Sequence, residues 1–158
     1  MSFFLKTFHL KRFLFYVGGT LLGAVISSLL ASPDYSHLVK PPLTPPSWLF
    51  PVVWTILYTL MGYAAYRVAG SGERSSKDAV RLYWLQLLVN LLWPIAFFRL
   101  EWRLFAFFWI LLLVVLIVKT ILHFQPIDRT ASRLLYPYLV WCGFATYLNL
   151  AFWLLNRG

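Results

Sequence analysis

The sequence predicts an all-α integral membrane protein, a bundle of five transmembrane helices in a single domain that covers residues 1–158. Of its residues, 61% are hydrophobic and only 12% are charged, which leaves too few polar side chains to cover a soluble globule. Five apolar stretches are each long enough for a membrane-spanning helix, which takes about 20 residues. The stretches are continuous and lack the alternation of a barrel wall, so a β-barrel is not expected.

The five spans are predicted at residues 13–30, 47–69, 79–98, 102–124 and 132–156. The acidic residues all fall in loops or at span ends; they are Asp34, Glu73, Asp78, Glu101 and Asp128. No carboxylate therefore lies in the middle of the membrane, which excludes the proton relays and cation sites that pumps use. The connections after the first loop are short, so neighbouring spans should pack antiparallel.

The first span carries Gly19, Gly23 and Ser27 at four-residue spacing, on one face of the predicted helix. Small residues on one face allow two helices to approach closely. The partner of this face is either another helix of the same chain or a helix of a second chain.

The segment KPPLTPPSWLFPVVW, residues 40–54, leads from a loop into the second span. Its four prolines between residues 41 and 46 exclude a helix there and predict a stiff loop. Ser47 offers an N-cap oxygen, and Pro51 falls in the first helical turn, where a missing N–H costs little. Trp48 and Trp54 belong either to an interfacial aromatic belt or to a rigid loop that covers an aromatic pocket.

Polar residues within the third span and an aromatic residue in the fifth are the candidate site residues. Gln86 and Asn90 are four residues apart and share a face, so Asn90 should face the bundle interior. Its amide then serves either a hydrogen bond between helices or a ligand. Pro94 should bend this helix and free a carbonyl near Asn90. In the fifth span, Trp141 followed one turn later by Ala145 leaves room for a flat ligand or for a packed helix.

The sequence lacks the residues that metal sites, disulfides and several common catalytic sites need. The three histidines have no metal-ligand spacing, and the single cysteine, Cys142, excludes an intrachain disulfide and a cysteine metal cluster. No nucleophile elbow, phosphate loop or paired carboxylates occur. The net charge of +9 comes from basic residues scattered between the spans, which indicates orientation in a membrane rather than nucleic-acid binding. No metal and no cofactor are expected.

The chain resembles the translocator protein family, whose bacterial members are tryptophan-rich sensory proteins and whose mitochondrial members are peripheral-type benzodiazepine receptors. The resemblance rests on KPPLTPPSWLFPVVWTILYTLMGYAAY, on NLLWPIAFF from Asn90, and on the fifth span from Pro137 through ATYLNLAFW. It implies a five-helix bundle, a homodimer, and a pocket between helices that the long first loop covers. The animal members' cholesterol motif is incomplete here, because no basic residue follows Tyr147 until Arg157.

The resemblance also implies a function and a set of site residues. The family binds porphyrins and isoquinoline or benzodiazepine-like compounds, and it is associated with light-dependent breakdown of protoporphyrin. The ligand-binding residues that it implies are Tyr35, Pro45, Trp54, Asn90, Trp141 and Ala145. Trp54 and Trp141 would also take part in the photochemistry. We therefore expect a receptor or sensor for porphyrins, with a porphyrin as ligand or substrate; a transporter and a purely structural protein are the alternatives.

The basic residues predict the orientation in a cell membrane. Ten of the fourteen lie in the amino-terminal segment and in the second and fourth loops: Lys6, Lys11, Arg12, Arg67, Arg74, Lys77, Arg81, Lys119, Arg129 and Arg133. The other side holds Lys40, Arg99, Arg103 and Arg157. The positive-inside rule then places the amino terminus in the cytoplasm and the first loop outside.

Overall fold

The computed structural model describes residues 8–157, and within that range five long helices are apolar enough to cross a membrane. They are α1 (Leu10–Ala31), α2 (Leu49–Ala69), α3 (Ser76–Arg99), α4 (Arg103–Phe124) and α5 (Arg129–Asn156). No strand occurs among the described residues. The predicted all-α membrane fold is confirmed. The largest boundary differences are at the starts of α1, α3 and α5, which begin at residues 10, 76 and 129 rather than 13, 79 and 132.

Three of the helices contain an irregular turn. A π-helical turn lies at Leu14–Gly18 in α1 and another at Ile95–Arg99 in α3, and α5 is interrupted at Leu135. The turn in α3 follows Pro94 directly, because proline has no N–H to donate to the carbonyl of Asn90, four residues earlier. The irregularity that Pro94 predicts therefore takes the form of a widened turn.

The start of α2 corrects one expectation. Ser47 does not cap this helix: Trp48 occupies the N-cap position, and no side chain caps the helix. The N–H of Leu49, which a Ser47 cap would use, instead donates to the carbonyl of Pro46 at 3.0 Å. Pro51 lies in the first turn as predicted, and residues 40–46 are non-helical.

The bundle has two groups of buried apolar side chains. The larger group lies between α2, α3, α4 and α5 and includes Met61, Tyr83, Ile117 and Tyr138, all almost inaccessible to solvent. The smaller group lies where the first loop meets α3, α4 and α5; it comprises Tyr35, Ala96, Phe97, Ala106, Leu148 and Phe152. The first loop thus packs on a core of its own.

α1 packs on the side of the bundle through its small residues. A Cβ built on Gly62 of α2 would lie 2.7 Å from the Cα of Val17, and one built on Gly23 would lie 2.9 Å from Leu91 of α3. Ser27 donates its hydroxyl to the carbonyl of Leu91 at 2.6 Å. Gly23 and Ser27 are therefore used within the chain. The homodimer itself stays a prediction, and a dimer contact would have to use residues other than these two.

α2 and α5 are tied together at one end and separate toward the other. The guanidinium of Arg67, near the end of α2, donates to the carboxylate of Asp128 at 2.9 Å, and Asp128 caps the first turn of α5. α2 contacts the first segment of α5, Arg129–Leu134, much more extensively than the longer segment Tyr136–Asn156. A groove opens where the two helices diverge.

The first loop, residues 32–48, is fastened to α5. The N–H of Val39 donates to Oδ1 of Asn156 at 2.8 Å, and Nδ2 of Asn156 donates back to the carbonyl of Val39 at 2.9 Å. The hydroxyl of Tyr147 donates to the carbonyl of Pro42 at 2.7 Å. These bonds hold the loop across the end of the bundle from which the groove extends.

Candidate functional site

Aromatic side chains of the first loop, α2 and α5 form a continuous row. The rings of Trp54 and Trp141 meet edge to face, with centroids 6.5 Å apart and an interplanar angle of 88°. Phe50 lies 5.7 Å from Trp141 and also 5.7 Å from Tyr35. At the other end of the row, Trp54 stacks on Tyr58 at 5.2 Å. Trp54, Tyr58 and Phe50 share one face of α2 because they are four residues apart.

Asn90 lies in a buried hydrogen-bond network that joins three helices. Its Oδ1 accepts from the hydroxyl of Tyr58 on α2 at 2.7 Å, and its Nδ2 donates to the hydroxyl of Tyr138 on α5 at 2.6 Å. Tyr138 in turn donates to Oε1 of Gln86 at 2.7 Å, and Nε2 of Gln86 donates to the carbonyl of Tyr83 at 2.9 Å. The Asn90 amide therefore bonds helices together, which is the first of the two roles that its position in the third span allows.

Trp141 borders the groove between α2 and α5, and its indole N–H has no partner. The groove has a volume of about 750 Å³ and is lined by Val53, Leu57, Tyr136, Pro137, Val140, Trp141 and Phe144. Nε1 of Trp141 is buried and makes no hydrogen bond. The indole N–H of Trp93, by contrast, donates to Asn149, and that of Trp109 donates to the carbonyl of Val89. A buried donor without an acceptor is unusual and calls for an explanation.

The six ligand-binding residues implied by the family resemblance do not all lie in the aromatic row or on the groove. Tyr35, Trp54 and Trp141 belong to the aromatic row, and the Tyr35 hydroxyl donates to the carbonyl of Pro45 at 2.9 Å. Burial raises the pKa of Tyr35, so its phenol stays protonated as this donor. Asn90 joins the row through Tyr58, whereas Ala145 is buried in the larger core. Trp141 alone among the six lines the groove.

Three residues that the sequence did not single out as site residues belong to this region. Phe50 connects the first loop to Trp141, Tyr58 connects Trp54 to Asn90, and Tyr138 connects Asn90 to Gln86. The four-residue spacing of Phe50 and Tyr58 from Trp54 is a signal for the first two. Tyr138 carries no comparable signal, because its partner Asn90 is 48 residues away in the chain.

The groove offers apolar walls and flat aromatic surfaces, and the buried indole N–H of Trp141 on its border has no hydrogen-bond partner. Among the described residues, no group of three His, Cys, Asp or Glu side chains could hold a metal ion. Cys142 is a free, fully buried thiol. Such a site suits a flat hydrophobic molecule with an acceptor atom at its edge, since apolar walls give affinity and a few polar groups give orientation.

The sequence model of the TspO/MBR family matches residues 13–154, which is almost the whole described chain. The chain belongs to the TspO/MBR family. As a family member it is similar to the tryptophan-rich protein TspO of Chlorobaculum tepidum, with 43% identity over 136 residues that cover 85% of this chain and 86% of the relative.

Two further relatives come from different groups of organisms. The translocator protein of Ovis aries is 38% identical over 127 residues, covering 78% of this chain and 75% of the relative. The tryptophan-rich sensory protein of Cereibacter sphaeroides is 39% identical over 125 residues, covering 76% of each chain. The resemblance to the translocator protein family is thus confirmed, and this TspO/MBR family member is a multi-pass membrane protein.

Proposed function

We propose that this TspO/MBR family member is a membrane receptor or sensor that binds porphyrins, protoporphyrin among them, and flat isoquinoline or benzodiazepine-like compounds. The supporting observation is the buried indole N–H of Trp141, which borders the apolar groove between α2 and α5 without an acceptor. Leaving such a donor unpaired costs about 1–3 kcal/mol. A ligand with a carbonyl or carboxylate oxygen at this position would remove that cost.

The groove suits such ligands in size and in access. Ligand sites are typically about 300–1,000 Å³ and mostly apolar, and the groove falls in that range. Val140 on its wall is 73% exposed on the outer surface of the bundle. The groove therefore faces the bilayer, and a hydrophobic ligand reaches it from the membrane.

We also propose that the protein lies in a cell membrane with its amino terminus in the cytoplasm, as the distribution of its basic residues predicts.

The same arrangement would allow light-dependent breakdown of a bound protoporphyrin. The porphyrin absorbs the light, and in its excited state it takes an electron from the indole of Trp54 or Trp141, which lie in contact with each other. Dissolved oxygen is the co-reactant that takes the electron from the reduced porphyrin and supplies the oxygen atoms of the product. The protein would supply orientation and exclude competing reactions, as proteins do for cofactor chemistry. Phenylalanine keeps most of the aromatic area but not the ease of oxidation, so it separates binding from chemistry.

The test is a titration of the purified protein with protoporphyrin, followed by absorbance in the dark and under light. We expect Trp54→Phe and Trp141→Phe to lose light-driven bleaching, and Trp54→Phe to retain most porphyrin binding. Trp141→Phe should also weaken binding several-fold, since it removes the free donor. Trp102→Phe is the matched control, because Trp102 is 55% exposed at the start of α4 and its ring packs on Phe105, outside the aromatic row.

Two outcomes would contradict these proposals. Wild-type bleaching rates in both variants and in the double variant would reduce the tryptophans to pocket walls and remove the photochemical activity. Weak binding that does not distinguish porphyrins from other flat molecules, and that does not respond to Trp54 or Trp141, would favour a structural protein over a receptor.

A transporter of porphyrins or other hydrophobic molecules is the second candidate, favoured by the exposure of the groove to the bilayer. In sealed vesicles a transporter changes the sidedness of the ligand without consuming it. A receptor leaves the sidedness unchanged, and a photochemical enzyme bleaches the porphyrin in detergent, where no sidedness exists.

A further inference from the structure

Arg12 lies at the membrane-surface end of α1, in a corner formed with α2. The N–H of His9 donates to the hydroxyl of Tyr66 at 3.0 Å, and the rings of Phe8, Phe13 and Tyr66 are within 5.8 Å of one another. These contacts fix the start of α1 against the end of α2. Arg12 extends from this aromatic cluster over the surface of the bundle.

Tyr66, in the last turn of α2, and Gly70, directly after the helix, lie against the Arg12 guanidinium. Its Cζ lies 5.0 Å from the ring centroid of Tyr66, a cation–π geometry. The guanidinium also lies close to Gly70, where a built Cβ would contact Nη2 and would lie 2.6 Å from Cζ and 3.0 Å from Nε. Only a residue without a Cβ at position 70 allows the guanidinium to lie where it does.

Arg12 has no anionic partner among residues 8–157. Its Nε is buried and makes no hydrogen bond, and none of the four ion pairs includes it. Asp128, at the same end of the bundle, is engaged by Arg67 at 2.9 Å, and Asp78 faces Arg81 at 3.5 Å. A positioned, half-buried guanidinium therefore presents charge that no described carboxylate neutralises.

The same end of the bundle is strongly basic. Antiparallel packing brings together the starts of α1, α3 and α5 and the ends of α2 and α4. Its described basic residues are Lys11, Arg12, Arg67, Arg74, Lys77, Arg81, Lys119, Arg129 and Arg133, against the acidic residues Glu73, Asp78 and Asp128. Basic clusters beside transmembrane helices attract anionic lipid headgroups.

We propose that Arg12, held by Tyr66 and Gly70, binds the phosphate of an anionic phospholipid in the leaflet on the amino-terminal side. The guanidinium is planar and matches two phosphate oxygens with parallel N–H donors. The neighbouring apolar surface of α1, with Leu14 and Phe15 exposed, would contact the acyl chains. This site lies at the end of the bundle away from the first loop, and it does not depend on the porphyrin proposal.

The test compares lipids added to the detergent-purified full chain. Phosphatidylglycerol should raise the thermal midpoint of the wild-type protein more than phosphatidylcholine does, and native mass spectrometry should show retained phosphatidylglycerol. Arg12→Gln should lower the apparent affinity for phosphatidylglycerol by roughly tenfold, the effect of losing one charged hydrogen-bond partner. Arg12→Lys should retain part of the affinity, because it keeps the charge but loses the planar fork.

Gly70→Ala tests the geometry without changing the charge, and it should weaken phosphatidylglycerol binding because the Cβ displaces the guanidinium. Arg99→Gln is the control, an exposed arginine at the opposite end of the bundle, and it should bind phosphatidylglycerol as the wild type does. Equal binding by wild type, Arg12→Gln and Gly70→Ala would overturn the site. Equal retention of phosphatidylcholine would also overturn it, and an equal stabilisation by millimolar inorganic phosphate would assign the site to a free anion instead of a lipid.

Discussion

The side-chain amide of Asn90 makes one hydrogen bond through its oxygen and one through its nitrogen, and each atom could make one more. Its Oδ1 accepts from Tyr58 and its Nδ2 donates to Tyr138. An amide oxygen has two lone pairs and an amide nitrogen two hydrogens, so one acceptor and one donor position remain. The two roles weighed for Asn90, helix bonding and ligand binding, are therefore compatible at the level of hydrogen-bond capacity.

Asn90→Ala should affect stability first. It leaves the buried hydroxyl of Tyr58 without its acceptor and removes one partner of Tyr138, so the free energy of unfolding should fall by about 1–3 kcal/mol. Thermal unfolding without ligand measures this, and Gln125→Ala, an exposed amide at the end of α4, is the control. We also expect a loss of about 1 kcal/mol in porphyrin affinity. An unchanged thermal midpoint would show that the network does not stabilise the bundle.

The face of Asn90 could be predicted from the sequence, but its partners could not. Its four-residue spacing from Gln86 and the cost of an unpaired amide in lipid indicate that it faces inward. The hydroxyl of Tyr138 lies beside it only because the folded bundle brings this side chain of α5 within hydrogen-bonding distance of α3. Likewise, the chain has eight tryptophans, and nothing in the sequence distinguishes Trp141 from the others. Its unpartnered indole N–H is a property of the folded site.

The first loop and α5 act as one structural element. The carboxamide of Asn156 pairs with both the N–H and the carbonyl of Val39. Three residues further along the loop, the carbonyl of Pro42 accepts a hydrogen bond from the hydroxyl of Tyr147. Tyr35 packs its ring against Phe152 of α5 at 5.6 Å. Opening the loop therefore requires the loss of three hydrogen bonds and of this aromatic contact.

Replacing both tethers, in Asn156→Ala with Tyr147→Phe, should loosen the loop while leaving the bundle folded. Each hydrogen bond contributes about 1 kcal/mol, so amide hydrogen exchange at Val39 and its neighbours should accelerate at least about fivefold. Thr59→Ala is the control, because the Thr59 hydroxyl bonds only within α2. Unchanged exchange in the double variant would mean that the aromatic contacts alone hold the loop.

The helices could be predicted as elements because hydropathy and length determine them, but their local irregularities could not. The start of α2 depends on which acceptor the N–H of Leu49 finds, and that acceptor is the carbonyl of Pro46. The π-helical turn at Leu14–Gly18 brings Val17 close to Gly62 of α2, a contact between segments far apart in sequence. Such details depend on tertiary packing.

The distribution of charge over the whole molecule is the basis of its predicted orientation. The described basic residues concentrate at the end of the bundle that carries the start of α1, and Lys6, which also entered the prediction, lies outside the described residues. The five helices alternate in direction, so the first and third loops share the other end with the carboxyl terminus. The fold class and the number of spans follow from composition. The groove is a gap between packed helices, so it could not be predicted from the sequence.

Reporter fusions test this orientation. A reporter that is active only in the cytoplasm should be active when inserted in the second loop, at Gly72, and inactive after residue 158, because an odd number of spans separates the two termini. An alkaline phosphatase fusion after residue 158 should show the opposite response. Cytoplasmic activity of the fusion after residue 158 would reverse the predicted orientation.

The position of the groove between α2 and α5 on the outer surface of the bundle affects how its occupancy by a hydrophobic ligand would depend on the amount of lipid present. Val140 on its wall is exposed on the outer surface of the bundle, so under the proposed function the relevant ligand pool is the one dissolved in the hydrocarbon. A porphyrin partitions strongly from water into lipid, and its chemical potential there is set by its mole fraction among lipids. Adding empty vesicles at constant total ligand would dilute that pool and lower the occupancy of the site, and the aqueous concentration would fall in the same proportion because the two phases stay in equilibrium.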